Sequence, residues 1–263
     1  MNIKLLTKSA VMAALAFVAM GVTSCDQRKF RVEGTITDAK DSTLYFENMS
    51  LNGAVAIDSV KLGDDGAFSF DCKSADAPEF YRLRIAAQII IIATASTETV
   101  GIKASYPTMA SGYEVSGSEE CATIKQLTVM QMNLQSQVNA IASNPALGVD
   151  AVADSVTRVI EDYKQNVKLN YIFKEPMRAY SYFALFQTIN LGRQATLIFN
   201  PRNSEEDIKV FAAVATSWDT FYPEAERGKN LHNIAIEGMK DIRIVRNKQA
   251  ATQIEASRVN TTG

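Results

Sequence analysis

Between residues 30 and 116, apolar and polar side chains alternate over short runs. In Phe30–Thr37, the apolar Phe30, Val32 and Ile36 alternate with polar residues. A period of two places one face of a strand inward. Comparable runs occupy residues 43–47, 54–58, 60–62, 81–85, 89–93, 100–103 and 113–115. Regular short strands with almost no helical periodicity predict an antiparallel β-sandwich or a partly open barrel.

The clearest turn signal in this region is Gly63-Asp64-Asp65-Gly66. Asp and Gly tolerate the positive φ of tight turns, so this segment predicts a hairpin. The strand before it is Val60–Leu62. The strand after it carries Phe68, Phe70 and Cys72 in alternation.

After Gly117 the apolar spacing changes to three and four residues, which predicts helices. Ser118, Asp150 and Ser204 are the expected N-caps of three of them. The predicted helices run from 118 to about 143, from Asp150 to about 174, over 179–189, from 205 to 222 and from 231 to about 256. The sequence therefore predicts an α+β chain with a sandwich domain over 30–117 and an all-α domain over 118–256. The segment 240–256 reads as an amphipathic helix, and 257–263 as a linker-like end.

The N-terminus has the three parts of an export signal. Lys4 and Lys8 precede an apolar stretch over residues 10–21, and Val22-Thr-Ser-Cys25 follows. This last segment resembles the bacterial lipobox, which predicts a signal peptide over 1–24 and a lipid on Cys25. The alternative is an ordinary secretory signal with a chance cysteine. Lipidation would anchor the chain, through a tether over 25–29, to a bacterial membrane, in the envelope and facing the periplasm.

The charge and the cysteine content bear on the possible partners and on disulfide formation. Residues 1–24 contain two lysines and no acid, so the formal charge falls from −2 for the whole chain to −4 after cleavage. A weakly acidic chain gives no reason to expect a nucleic-acid partner. Besides Cys25, the chain has Cys72 and Cys121. We expect two unpaired or buried thiols, and one structural disulfide is the alternative.

A search for catalytic, cofactor-binding or metal-binding motifs predicts no such site. His232 has no histidine or cysteine at ligand spacing. Glu205, Glu206 and Asp207 form a carboxylate cluster that the start of a helix explains. The aromatic residues between Tyr171 and Phe186 are expected to pack in a core, and a ligand groove is the alternative.

The order of short motifs resembles a known protein family. The motifs are Phe30-Arg-Val-Glu-Gly-Thr-Ile36, Ile57-Asp-Ser-Val60, Asp65-Gly-Ala-Phe-Ser-Phe70, Glu114-Val-Ser-Gly-Ser118 and Trp218-Asp-Thr-Phe-Tyr-Pro223 with Arg227. They resemble the N-terminal domain of unknown function, with its helical connector, of envelope lipoproteins that carry a thioredoxin-fold thiol–disulfide oxidoreductase domain behind it.

The family's redox activity rests on a Trp-Cys-x-x-Cys motif. Here Trp218 is followed by Asp219, and no cysteine follows Cys121, so no redox residue is carried over. The resemblance leaves two expectations: a free-standing version, or a redox enzyme whose catalytic half is missing. The leading hypothesis is a non-catalytic envelope module that positions a partner, such as a thioredoxin-like domain. The alternatives are a lipoprotein that binds a small ligand or glycan, and an unrecognised enzyme.

Overall fold

The structure is a computed structural model that describes residues 28–94 and 96–259, with side chains through Gln253. The predicted signal peptide, the predicted lipidation site at Cys25 and residues 260–263 lie outside the described residues. Within them, a β-rich region precedes a mainly helical one, which confirms the predicted α+β class.

Two four-stranded sheets form the N-terminal part. The first, sheet A, has the order β4-β1-β7-β8, and the second, sheet B, has the order β3-β2-β5-β6. The strands are β1 (Lys29–Thr37), β2 (Thr43–Ser50), β3 (Gly53–Lys61), β4 (Ala67–Lys73), β5 (Glu79–Ile85), β6 (Gln88–Thr94), β7 (Thr99–Ser105) and β8 (Glu114–Ser116). The sheets do not close on each other, so the sandwich is the correct alternative and the barrel is wrong.

The hairpin predicted at Gly63–Gly66 is wrong. A tight turn is present there, because Gly66 donates its N–H to the Gly63 carbonyl at 3.2 Å. However, β3 pairs with β2, whereas β4 pairs with β1 in the other sheet. The turn packs on β1, where Gly66 has φ +62° and a Cβ on it would lie 2.0 Å from the Ile36 carbonyl oxygen. The turn therefore carries the chain from one sheet to the other.

Sheet A is also mixed and not purely antiparallel. β1 pairs with β7 in parallel, from Arg31 opposite Thr99 to Thr37 opposite Ser105, and all its other pairings are antiparallel. The sandwich core lies between the sheets. Its aromatic centre is formed by Phe30, Phe46 and Tyr81. The ring centroids of each pair among these three lie 4.8–6.2 Å apart.

Five α-helices follow. They are α1 (Glu119–Ala142), α2 (Val149–Val167), α3 (Ala179–Leu185), α4 (Glu205–Phe221) and α5 (Glu226–Val259). The caps predicted at Ser118 and Ser204 are confirmed, since Ser118 accepts from the Cys121 N–H and Ser204 from the Asp207 N–H. The cap predicted at Asp150 is wrong, because the N-cap of α2 is Gly148 and Asp150 lies inside the first turn.

Three details of the helical part correct the sequence prediction. The helix expected to reach Lys174 ends at Val167, and a π-helical turn, Lys168–Ile172, follows it. The helix expected over 179–189 ends at Leu185. A two-stranded sheet follows it, β9 (Thr188–Leu191) and β10 (Gln194–Leu197), so this part is not all-α.

A second apolar core joins the helices to the outer face of sheet B. Phe80 and Ala93 of the sheet share this core with residues of α1, α3, α4 and α5. In the other direction, Cys121 in the first turn of α1 belongs to the sandwich core. The sandwich and the helices are therefore packed against each other along one continuous boundary.

The long helix α5 changes character along its length. Leu231 and Ala235 are buried, and Ile242 is half-buried. From Arg243 to Gln253 every side chain is exposed. The apolar face expected over 240–256 is thus left exposed after Ile242, although Arg246 still reaches Glu205 at the start of α4. We call residues 243–259 the arm and the rest of the described chain the body.

Candidate functional site

A cleft of about 430 Å³ lies where the outer face of sheet B meets the helices. We call it the cleft. One wall comes from the tip of the β2–β3 hairpin and from β5 and β6, and the other comes from α3 and the start of α5. The residues that line it are Met49, Ser50, Leu51, Gly53, Ala54, Phe80, Arg82, Ile91, Tyr182, Phe183, Phe186, Arg227 and Asn230.

Arg227, at the start of α5, connects this helix to β2 and β5 at the base of the cleft. The residue is 6% exposed, and it donates from Nε and Nη2 to Glu79 Oε2 at 3.2 and 2.9 Å. Nη2 also donates to the Met49 carbonyl at 2.5 Å. The guanidinium lies 5.0 Å from the Phe80 ring centroid and 5.6 Å from that of Tyr182, within range of a cation–π interaction. A charge so buried requires these partners, and they fix α5 to sheet B.

A second charged group lies along β5. Residues two apart on a strand share a face, so Phe80, Arg82 and Arg84 all point outward from the sandwich. Arg82 donates from Nε to Glu47 at 2.5 Å, and Arg84 donates from Nη2 to the same carboxylate at 2.7 Å. Glu47 is 5% exposed. The hydrogen bonds from Arg84 and Arg82 lower the pKa of Glu47 against the opposing effect of burial, so its carboxylate stays charged.

The aromatic residues of α3 divide between core and cleft. Tyr182 lies 5.0 Å from Trp218 and 4.9 Å from Phe186, between ring centroids, and is 6% exposed. Burial raises the pKa of its phenol. Phe183 and Phe186 are half-buried and line the cleft. The sequence prediction of core packing thus holds for Tyr182, and also for Phe183 and Phe186, which pack against the helical core and in addition line the cleft.

Cys72 and Cys121 are both free thiols in the structure, so the disulfide alternative is not formed. The Cys121 Sγ lies 3.3 Å from the Ala93 carbonyl oxygen. Burial raises the pKa of Cys121 to about 11, and it also raises the pKa of Cys72. A nucleophilic cysteine needs the opposite shift, because the thiolate is the reactive form.

His232 has a partner that the sequence did not indicate. Its Nε2 lies 2.5 Å from Asp219 Oδ2 on α4, and both side chains are exposed by more than a third. The pair joins α4 to α5. Among the described residues, no group of three histidine, cysteine or acidic side chains is arranged to hold a metal ion.

The carboxylate cluster at the start of α4 also has structural partners. Asp207 forms an ion pair with Lys164 at 2.8 Å and accepts from the Asn200 N–H at 2.8 Å. Glu205 pairs with Arg246 of α5, and Glu206 pairs with Lys209. These contacts account for all three acids as links between helices or within one helix.

The arm is the second surface of interest. It exposes Ile244 and Val245 by about half, at 52% and 51%. Residues 243–253 include Arg243, Arg246 and Lys248 and no acid. The pair of Arg246 with Glu205 is the last ion pair or hydrogen bond that joins α5 to another element among the described residues. In the part of the chain that the structure describes, no helix is both long enough and apolar enough to span a membrane.

Residues 30–122 match a domain of unknown function (DUF4369). The match covers the sandwich and the first turn of α1. Cys121 in that turn belongs to the sandwich core. No curated protein shows significant similarity to the chain. No solved structure shows significant similarity to it either.

Proposed function

We propose that this chain is a lipid-anchored envelope protein that works without catalysis, as a module that positions a partner. The arm carries this proposal. A helix of 34 residues is about 51 Å long at 1.5 Å per residue. Its first half is fixed to the body, so the exposed second half holds a constant direction from it.

The expected partner is a thioredoxin-like domain or another envelope protein with an acidic and partly apolar surface. The resemblance of the motifs around Trp218 to the connector of envelope lipoproteins with a thioredoxin-fold domain supports the first of these. The cations Arg243 and Lys248 beside exposed Ile244 and Val245 would meet the acidic surface.

The anchor would hold the body near the bilayer. β1 begins at Lys29, four residues after Cys25. Four extended residues span at most about 14 Å, so a lipid on Cys25 keeps the sandwich close to the headgroups. In the chain with Cys25→Ala, we expect labelling by a clickable fatty acid to be lost and the protein to leave the membrane fraction. Unchanged labelling would contradict the anchor.

The proposal that the chain itself is not an enzyme rests on the placement of its reactive side chains. Cys72 and Cys121 have raised pKa values, and His232 and the acids of α4 are used in contacts between helices. We expect the purified mature chain to reduce insulin no faster than a thiol-free control. Reduction above that control would show that one of the two thiols is reactive.

The positioning role is tested in cells with a photocrosslinking residue at Val245. We expect a discrete product that contains a thioredoxin-like domain. Val149 in α2 is the matched control, because it is a valine that is 86% exposed and lies outside the arm. The absence of a product at Val245, or the same product at Val149, would contradict the proposal. A product that contains a second copy of this chain would also contradict it, since the arm would then serve self-association.

A second candidate function is the binding of a small ligand or glycan. The cleft favours it, because ligand pockets of 300–1,000 Å³ occur preferentially between domains and combine apolar walls with a few polar groups. Arg82, Arg227 and Asn230 supply those groups here.

A further inference from the structure

We propose that the cleft binds a small amphipathic carboxylate, with the acid against Arg82 and the apolar part against Phe183 and Phe186. This gives the second candidate function a ligand class and rests on it. It does not depend on the positioning role of the arm.

The charge of the lining favours an anion. Of the described residues that line the cleft, the charged ones are Arg82 and Arg227, and both are cations. Their carboxylate partners, Glu47 and Glu79, are not among the lining residues. Glu79 balances Arg227, but Glu47 alone faces both Arg82 and Arg84. One unit of positive charge therefore remains on this face of β5.

Arg82 also has hydrogen-bond donors that no described protein acceptor uses. It donates to Glu47 from Nε alone, and among the described residues neither of its Nη atoms donates to a protein acceptor. Arg84, in contrast, donates to Glu47 from both Nε and Nη2. Arg82 lines the cleft, and its two Nη groups match the two oxygens of a carboxylate. Charge-assisted bonds of this kind are about twice as strong as neutral ones.

The rest of the lining favours an apolar body on the same ligand. Phe80, Phe183 and Phe186 present ring surface, and Ile91 and Leu51 extend it. A fully ionic ligand such as phosphate would leave this surface in contact with water. A neutral hydrocarbon would leave the Nη atoms of Arg82 without an acceptor when it displaced their water. An amphipathic acid satisfies both parts of the lining.

The test compares 4-phenylbutyrate with its neutral amide on the mature chain carrying Cys25→Ala, by calorimetry or ligand-observed NMR. We expect the acid to bind at least tenfold more tightly than the amide. R82Q should bring that ratio close to one. The matched control is R84Q, because Arg84 lies on the same strand, contacts the same Glu47 and has a similar exposure of 27% against 24%, yet does not line the cleft. R84Q removes the same unit of charge but leaves the Nη donors of Arg82, so it should keep at least half of the preference.

Two further variants keep the test decisive if R82Q folds poorly. R82K should retain the charge but lose the paired geometry, and should lie between R82Q and the unchanged chain. F183A should weaken acid and amide by the same factor. Equal binding of acid and amide to the unchanged chain, or equal losses in R82Q and R84Q, would overturn this proposal while ligand binding in the cleft would stand. If neither compound binds, the carboxylate proposal is overturned, and the second candidate function also loses its support from this experiment.

Discussion

The two halves of α5 are one continuous helix with opposite surroundings. In the first half, Leu231 is fully buried and Gly238 lies against the Pro201 carbonyl of the loop before α4. In the second half, none of the described side chains is buried, and the apolar Ile244 and Val245 are about half exposed. Both halves have apolar residues at helical spacing. The difference teaches that spacing predicts the helix, whereas burial depends on which other element reaches it.

The same comparison separates two sources of helix stability. Most of a helix's stability in proteins comes from packing an apolar face. The half of α5 on the body has that packing, through Leu231, Ala235 and the ion pair of Arg227 with Glu79. Apart from the pair of Arg246 with Glu205, the arm depends on its own backbone hydrogen bonds. It should therefore be the part that a partner orders further.

The two halves of α5 should differ most in how much free energy of unfolding is lost when an apolar side chain is truncated. Leu231→Ala should lower the free energy of unfolding by about 2–5 kcal/mol, because it opens a cavity in a packed core. Val245→Ala is the counterpart on the arm and should change it by less than about 0.5 kcal/mol. Urea denaturation followed by circular dichroism measures both. Similar losses for the two variants would mean that the arm is packed.

Breaking the ion pairs of Glu47 with Arg82 and Arg84 should also lower the free energy of unfolding. Glu47→Gln should destabilise the chain by about 1–3 kcal/mol, below the range for a fully buried pair because Arg82 and Arg84 are partly exposed. Since the pKa of Glu47 is lowered on folding, its contribution is complete above its ordinary value of 4.5 and is lost as the pH falls through the folded value. The gap between the two chains should narrow below pH 4.5 in acid denaturation. A constant gap would contradict this account of Glu47.

Gly238 tests how closely α5 approaches the body. Replacing an exposed helical glycine by alanine normally gains about 1 kcal/mol in helix propensity. Here a Cβ would lie 2.4 Å from the Pro201 carbonyl oxygen, which is backbone and cannot rotate away. The clash should outweigh the gain, with a net loss of about 1–2 kcal/mol in Gly238→Ala. A rise in melting temperature would show that α5 sits further from that loop.

The smallest effect is expected from removing the end of the arm. Deleting residues 247–263 takes away no described side chain that is buried. The free energy of unfolding should change by less than about 0.5 kcal/mol, measured by the same denaturation. A clearly larger loss would show that the end of the chain closes the fold.

Much of the fold follows from local sequence, but the partners of its elements do not. The alternation in Phe30–Thr37 and the caps at Ser118 and Ser204 predict their elements, because these signals are local. The hairpin at Gly63–Gly66 was wrong because turn chemistry shapes four residues without choosing the strand that pairs with the next one. The short strands β9 and β10 are only four residues each, too short for a period to stand out.

The cleft was beyond sequence reasoning for the same reason. Arg227 and Glu79 are 148 positions apart, and nothing in either neighbourhood indicates the other. A weaker signal was present on β5, where Arg82 and Arg84 alternate with Tyr81 and Leu83. Two cations on the outer face of a strand indicate a charged surface. They do not indicate that helices form the opposite wall.

The central claim is that the arm is free on the isolated chain while the rest of α5 is held by the body. Amide hydrogen exchange across α5 tests it most directly, since exchange reports local opening. On the monomeric mature chain with Cys25→Ala, amides from Leu231 to Ile242 should exchange slowly, and those from Asn247 to Gln253 should exchange at least a hundredfold faster. Uniformly slow exchange through Gln253 would mean that the arm is already packed, and would contradict the account.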